Sequence, residues 1–397
     1  MIGEPEKRNC ASNYRVVHVS HHPVGAKAFL EPLVQNLIAR GLESELWVEP
    51  QPGTRRFVEG LTVPSRDIHC QVSPSPLRNL SNFQAIVRSV RATRPTVLHC
   101  HQTRASLWPL IIGRILRVPV LVYHNHGLSY PAFVGVRRAL LRELQRLLCR
   151  LAHHAWFVSV STLDLARADG IISASAGLVP GPGSIVGINL RDYEPDDFGA
   201  GPRLSARAAL GLSKSGSVFG FVGRPMLSKG FPQLLDAWQS AGLWRQDGQL
   251  ICAGCAGADL EAAGVGREQA VKGLGYLENM RLFYQACDIV VLPSRSEGFP
   301  YSLLEASAAG RPTIGTRVPG IVDVILPEKT GLLVELDNLD ELAQALRRLA
   351  AEPEERERLG TAGREWIRER FSRDQVLEAF WQHYRSHVLP ADSSMKQ

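Results

Sequence analysis

The segment from Pro293 to Gly310, PSRSEGFPYSLLEASAAG, constrains this chain more than any other. It follows DIVVLP, residues 288–293, a short apolar run of the kind that forms a fully buried strand. Pro300 stands where a first helical residue is expected, because the amide that proline lacks has no partner there. Ser302 and Glu305 have the spacing of a capping box. The expectation is a buried strand, a glycine-bearing loop and a helix over Tyr301 to Ala309. A helix start points unpaired N–H groups and the positive end of its dipole forward, which favours a phosphate. The amides of Tyr301, Ser302 and Leu303 would face a diphosphate. Glu297, in the loop with Gly298, Phe299 and Pro300, would lie beside the group attached to it, and Glu305 would accept from a ribose hydroxyl. The plain alternative is an ordinary strand–loop–helix with two solvated glutamates.

The run E-G-F-P-Y-S-L-L-E-A, followed by A-G-R-P-T-I-G-T and by T-G-L-L-V at Thr330 to Val334, resembles the signature of the family 4 retaining glycosyltransferases. The resemblance implies the GT-B fold, two Rossmann-like α/β domains with parallel sheets facing a cleft, and a nucleotide-activated sugar as donor.

The rest of the chain has the same organisation. At 397 residues it exceeds one typical core, so two domains are expected. In the first half, short apolar segments at Tyr14–Ser20, Glu45–Glu49, Thr96–Cys100, Pro119–His124 and Ala155–Val160 alternate with helical ones such as Phe29–Arg40 and Ser81–Thr93. Alternation of this kind argues for an open, mostly parallel α/β sheet. The segments Ser217–Val222, Leu250–Ala253, Val271–Tyr276 and Pro312–Thr316 give the second half its strands, and Glu194–Pro202 reads as a linker. The expected domains are residues 1–193 and 203–373. By resemblance, the closing helix within 374–397 crosses back to the first.

Candidate site residues fall where strands end, the position at which open α/β sheets bind ligands. Histidines cluster there: His21 and His22, His99 and His101, His124 and His126. Two H-x-H pairs are a possible zinc chelate, but no nearby carboxylate or cysteine completes a set, so no metal ligand is assigned. By resemblance, His126 of the His-Gly pair faces the donor sugar and acceptor. The family's first loop holds paired glycines near the diphosphate, and Gly25 alone stands there. Arg224 and Lys229 follow the strand Ser217–Val222 on a glycine-bounded loop, two cations placed to neutralise a diphosphate leaving group. The resemblance gives them the same role. With no convincing D-x-D pair, catalysis is expected to be independent of metal and of any cofactor.

Charge is uneven: residues 1–195 hold 22 Lys+Arg against 13 Asp+Glu. A basic half suggests an anionic partner, either a membrane surface or a lipid diphosphate. No nucleic-acid motif is present, so nucleic acid is not a partner. Within Arg137–Ala155 the residues Arg138, Arg142, Arg146 and Arg150 form a basic stripe, and Leu140, Leu144, Leu147, Leu148 and Leu151 an apolar face. Two readings stay open, a surface helix with its leucines in the core and a helix lying on anionic lipid. Met1–Asn13 has no apolar core of a signal peptide. Leu107–Tyr123 is broken by Arg114, Arg117 and two prolines. Seven scattered cysteines suit a reducing compartment. The expected location is the cytoplasm, with attachment to the inner face of the plasma membrane left open.

The function expected is transfer of a sugar, with retention, from a nucleoside diphosphate, UDP first among them. The acceptor would be a lipid-linked or polysaccharide precursor, as in the capsule and lipid-linked oligosaccharide enzymes that Gly181–Pro195 resembles. The alternatives are a GT-B epimerase or phosphorylase, or an inactive partner subunit.

Overall fold

The structure, a computed structural model, describes residues 14–194, 197 and 199–389. The signal-peptide reading of Met1–Asn13, the linker residues Pro195, Asp196 and Phe198, and residues 390–397 of the expected closing helix lie outside the described residues. Two six-stranded sheets, each wholly parallel, organise the chain. The first contains β1 (Arg15–Ser20), β2 (Glu43–Val48), β3 (Ser65–Asp67), β4 (Val97–His101), β5 (Val120–Asn125) and β6 (His154–Phe157), in the order β3-β2-β1-β4-β5-β6. The second contains β7 (Val218–Val222), β8 (Gln249–Ala253), β9 (Val271–Gly275), β10 (Ile289–Leu292), β11 (Thr313–Thr316) and β12 (Gly331–Val334), in the order β12-β11-β10-β7-β8-β9.

Both orders reverse direction at a central strand, which leaves a crevice at the carboxyl ends. The central strands are buried along their length because helices cover both faces; β10 is accordingly Ile-Val-Val-Leu, while β4 and β11 carry buried histidines and threonines. β3, with the sequence Ser-Arg-Asp, is an exposed edge strand and carries no apolar signal, so sequence reading omits it. The closing helix Arg373–His383 packs against the first sheet: Phe380 lies 5.1 Å from Trp156 between ring centroids, and Tyr384 bonds His99 Nδ1 at 2.5 Å.

Several local expectations shift. The loop HHPVGAKA is already helical from Pro23, and a π turn at Ala26–Leu30 joins it to Glu31–Ala39. The strand expected over Ala155–Val160 stops at Phe157 because Ser159 caps the next helix, its side chain accepting from Thr162 N. Ser161, two residues further on, bonds across the cleft to Asp323 and accepts from Gly320 N at 2.7 Å. The arginine helix runs Gly135–Leu151. Leu148 is buried and Leu144 and Leu151 pack beside it, but Leu140 and Leu147 are exposed, so the expected apolar face is only partly covered.

Candidate active site

Loops at the carboxyl ends of the two sheets meet in the cleft, and glycines let them meet closely. A Cβ on Gly298 would lie 1.9 Å from the carbonyl oxygen of His126. Gly127, at φ +130°, would place a Cβ 2.9 Å from Gly298 Cα. The His126-Gly127 turn of the first sheet therefore rests backbone to backbone on the Glu297-Gly298 loop of the second. Ser296 Oγ ties the contact by donating to Leu128 O at 3.0 Å.

On the second-sheet wall, Lys229 Nζ donates to Glu297 Oε1 at 2.7 Å, and Ser294 Oγ donates to the same oxygen at 2.6 Å. The carboxylate is nearly buried and the ammonium half-buried. Gly230, at φ +68°, has room for no Cβ: one would meet Pro293 O at 1.8 Å, so the Lys229 turn is pressed onto the exit of β10. Arg224 is exposed at the mouth of the cleft and makes no side-chain bond among the described residues.

The cleft helix runs Tyr301–Ala308, with Pro300 as its cap residue rather than its first turn. Ser302 is thus internal, and its expected capping box with Glu305 does not form. Leu303 N donates to Pro300 O at 3.1 Å and its side chain is fully buried, so Leu303 anchors the helix and the amides of Tyr301 and Ser302 remain to face a ligand. The Tyr301 hydroxyl leaves the cleft: it accepts from Val186 N at 3.0 Å and pairs with Ser184 Oγ at 2.7 Å, while its ring packs on Phe29. Phe299 packs on Phe371. Glu305 accepts from the Tyr284 hydroxyl at 2.7 Å. Burial pushes its carboxyl up to about 7, against the opposing pull of that hydrogen bond.

On the first-sheet wall five imidazoles cluster, with His18 and His99 stacked on His101, His124 tilted to it and His126 edge-on. His18 Nδ1 meets His101 Nε2 at 3.0 Å, and His101 Nδ1 meets His126 Nε2 at 3.0 Å. Burial holds His126 down to about 3, so its ring is neutral. Beneath it Asn125 Oδ1 accepts from Gly127 N at 2.8 Å and Asn125 Nδ2 donates to Gln145 Oε1 at 2.9 Å. Sequence reading missed Asn125, Gln145 and Tyr284, although Asn125 stands inside the H-N-H-G run that pointed to His126. Nitrogens of His18, His99 and His101, and of His101, His124 and His126, lie within 4.8 Å of one another, and their donor type suits a zinc-like cation. Two of those contacts are already imidazole–imidazole hydrogen bonds. Gly25 is helical, at φ −68°, and its amide donates to His22 Nδ1 at 3.0 Å, so that amide is spent within its own turn. Cys252 and Cys255 are free, buried thiols.

Two facing Rossmann-like sheets with a phosphate-type helix start in the cleft define a GT-B architecture. Comparison with known proteins agrees. Residues 24–181 match the family described as "Glycosyl transferase 4-like domain", and residues 216–352 match "Glycosyl transferases group 1". The chain belongs to the family 4 glycosyltransferases of GT-B fold. It is 26% identical over 369 residues to the lipopolysaccharide core biosynthesis glycosyltransferase LpsE of Rhizobium meliloti, covering 90% of this chain and 95% of that one. It is 33% identical to a D-inositol 3-phosphate glycosyltransferase of Saccharomonospora viridis, but that match spans only 50% of this chain and 48% of the relative's length. In three dimensions it is similar to Anabaena HepE, solved in complex with UDP and glucose, with a TM-score of 0.77, 19% identity and coverage of 94% and 100%.

Proposed function

We propose that the protein transfers a sugar from a uridine diphosphate sugar to a glycan or lipid-linked acceptor with retention of anomeric configuration. The observation that carries this reading is the backbone contact between His126-Gly127 and Glu297-Gly298, which sets one reacting face between two walls. The UDP complex of HepE and the lipopolysaccharide and capsule activities named for relatives support the donor and acceptor classes.

Departure of the diphosphate is the demanding step, because negative charge develops on its bridging oxygen. Arg224, Lys229 and the amides of Tyr301 and Ser302 oppose that charge. Glu297, oriented by Lys229 and Ser294, accepts from a sugar hydroxyl, and Glu305 accepts from the ribose. His126, held neutral, hydrogen-bonds the sugar and is too weak a base at its lowered pKa to deprotonate the acceptor. The leaving phosphate then takes the acceptor's proton on the face it departs from, and retention follows. Loop cations and amides carry the charge, so activity should survive excess EDTA.

The test is incubation with a panel of nucleotide sugars, followed by proton NMR of the product from an α-linked donor. An α-linked product is expected. A β-linked product refutes retention, and absence of transfer from every donor and acceptor offered, with no thermal protection by UDP, refutes the reading itself.

A further inference from the structure

Beside the reacting face, on the first-sheet side, lies a cavity of about 920 Å³ whose first-sheet lining none of the roles above uses. Its walls come from the loops after β1, β2 and β3, from Arg104 in the first turn of the helix Thr103–Ile115, from Arg78 and Asn82 of the helix Pro76–Thr93, and from Arg224 and Met226 of the second half. Its size is that of a site for a small organic ligand rather than a water channel.

Its charge is one-sided. Arg78, Arg104 and Arg224 all line it, and none of the three guanidinium groups has a hydrogen-bond or ion-pair partner among the described residues. Arg78 sits in the first turn of an 18-residue helix that has no acidic residue there, a position where its charge opposes the helix dipole. An anion joining Arg78 would relieve that mismatch, although solvent already screens much of it at an exposed side chain. The acidic lining residue, Glu49, is held by its own wall: Oε2 accepts from Cys70 N at 2.9 Å and from Gln71 N at 2.8 Å, and Oε1 lies 3.5 Å from His69 Nδ1. His21, also on the wall, is held down to about 4 chiefly by burial, with His22 and Arg104 adding to the shift and Glu49 opposing it.

We propose that this cavity binds the phosphate or diphosphate group of the acceptor, so that the acceptor is an anionic phosphorylated glycan and not a neutral sugar. The inference rests on the glycosyltransferase reading, which puts the donor diphosphate at Lys229 and the cleft helix and leaves Arg78 and Arg104 without a role. Arg224, on the shared border, faces both anions. The same phosphate chemistry is offered by a soluble sugar phosphate and by a lipid-linked one.

The experiment is isothermal titration of glucose 1-phosphate and of methyl glucoside, with and without saturating UDP, together with flotation on phosphatidylcholine vesicles with and without a polyprenyl phosphate. Wild type is compared with Arg78→Gln, Arg104→Gln and the double variant, whose exposed side chains can change without disturbing a core. Glucose 1-phosphate should bind, methyl glucoside should not, and each substitution should weaken binding on the order of tenfold, the scale of one charge-assisted hydrogen bond. Binding confined to the polyprenyl phosphate vesicles, and lost in the double variant, supports the inference with a lipid-linked source. No binding of either phosphate, or binding indifferent to both arginines, overturns it. The UDP isotherm is read separately: its absence strikes the donor reading and not the pocket.

Discussion

The two walls of the cleft solve the same problem, holding polar groups in a partly dry site, with opposite chemistry. The first-sheet wall uses neutral imidazoles bonded to one another, His18 to His101 to His126. The second uses a charge pair, Lys229 with Glu297, and a lone carboxyl, Glu305, under a tyrosine hydroxyl. Histidine is ordinarily the group that titrates near neutrality. Here burial takes His18 and His126 down to about 3, while a glutamate is raised to about 7. Residue type alone therefore assigns the pH response to the wrong wall, and packing decides it.

The contact between the walls is the place to break this arrangement most severely. Gly298→Ala puts a methyl 1.9 Å from His126 O, and backbone on both sides cannot step aside cheaply. A misplacement of about 1 Å at a reacting centre costs on the order of a hundredfold, and relief here requires more, so turnover should fall by roughly a thousandfold. UDP should still raise the melting temperature, because the second sheet is untouched. Turnover near wild type would show that the walls need not meet.

Within the charged wall, Glu297→Ala and Lys229→Ala should each lower kcat by on the order of a hundredfold, the cost of one preorganised electrostatic group. The two share a 2.7 Å bond, so the double variant should lose less than the sum in free energy. Full additivity would mean that they act apart.

Much of this was legible beforehand, and the reason is physical. Buried parallel strands are largely apolar runs, so β1, β4, β5, β7 and β10 announce themselves even where a histidine interrupts them, and the loop cations stand beside glycines whose spacing is informative. The edge strand β3 has no such run. The pairing of Lys229 with Glu297 joins residues far apart in sequence, and nothing local predicts it. Gly25 misleads for a different reason: glycine suggests a loop, but Pro23 starts a helix there and His22 caps it. The histidine spacing gave the cluster's location, but the burial that silences it depends on Trp156 of β6 and on Phe380 and Tyr384, which arrive with the closing helical segment.

The imidazole wall makes a claim about stability. Histidines with lowered folded pKa values bind fewer protons in the native state than in the unfolded one, whose value is about 6.5. Stability is therefore present above about pH 6.5 and is lost as pH falls, by up to about 1.4 kcal/mol per pH unit for each proton taken up. Glu305, raised in the folded state, opposes this between its unfolded value and about 7 but is one group against five. Urea midpoints should drop steeply on mild acidification, and His124→Phe, which removes a ring with both nitrogens unpartnered, should flatten the slope. A midpoint indifferent to pH would mean the cluster is already protonated or solvated.

The halves also differ toward their surroundings. No helix among the described residues is long and apolar enough to cross a membrane. The arginine helix instead exposes Val134, Val136 and Leu140 beside Arg138 and Arg150, a surface suited to anionic lipid. Arg146 does not belong to that surface, since it donates to Gly170 O at 2.9 Å. Co-sedimentation with anionic vesicles should weaken roughly thirtyfold in Arg138→Gln/Arg150→Gln, at about 1 kcal/mol per cation, and should fade with salt. Binding unchanged by the substitutions would return the helix to an ordinary surface role.

The smallest effect belongs to Glu305, and it discriminates between the walls most finely. A carboxylate accepts two ribose hydroxyl bonds, whereas a protonated carboxyl gives up part of that capacity. With a free-enzyme pKa of about 7, Glu305 is largely ionised in mild alkali and largely neutral in mild acid. UDP affinity should therefore fall a few-fold as pH drops through about 7, the loss of one charge-assisted bond shared with solvent. Tyr284→Phe removes the hydroxyl that favours the ionised form, so the midpoint should move up. Glu305→Gln cannot titrate, and its UDP affinity should be flat over the same range. The histidines cannot mimic this pattern, because those facing the cleft stay neutral throughout. If the pH dependence persists in Glu305→Gln, the titrating group lies on the imidazole wall, and the contrast drawn between the two walls fails.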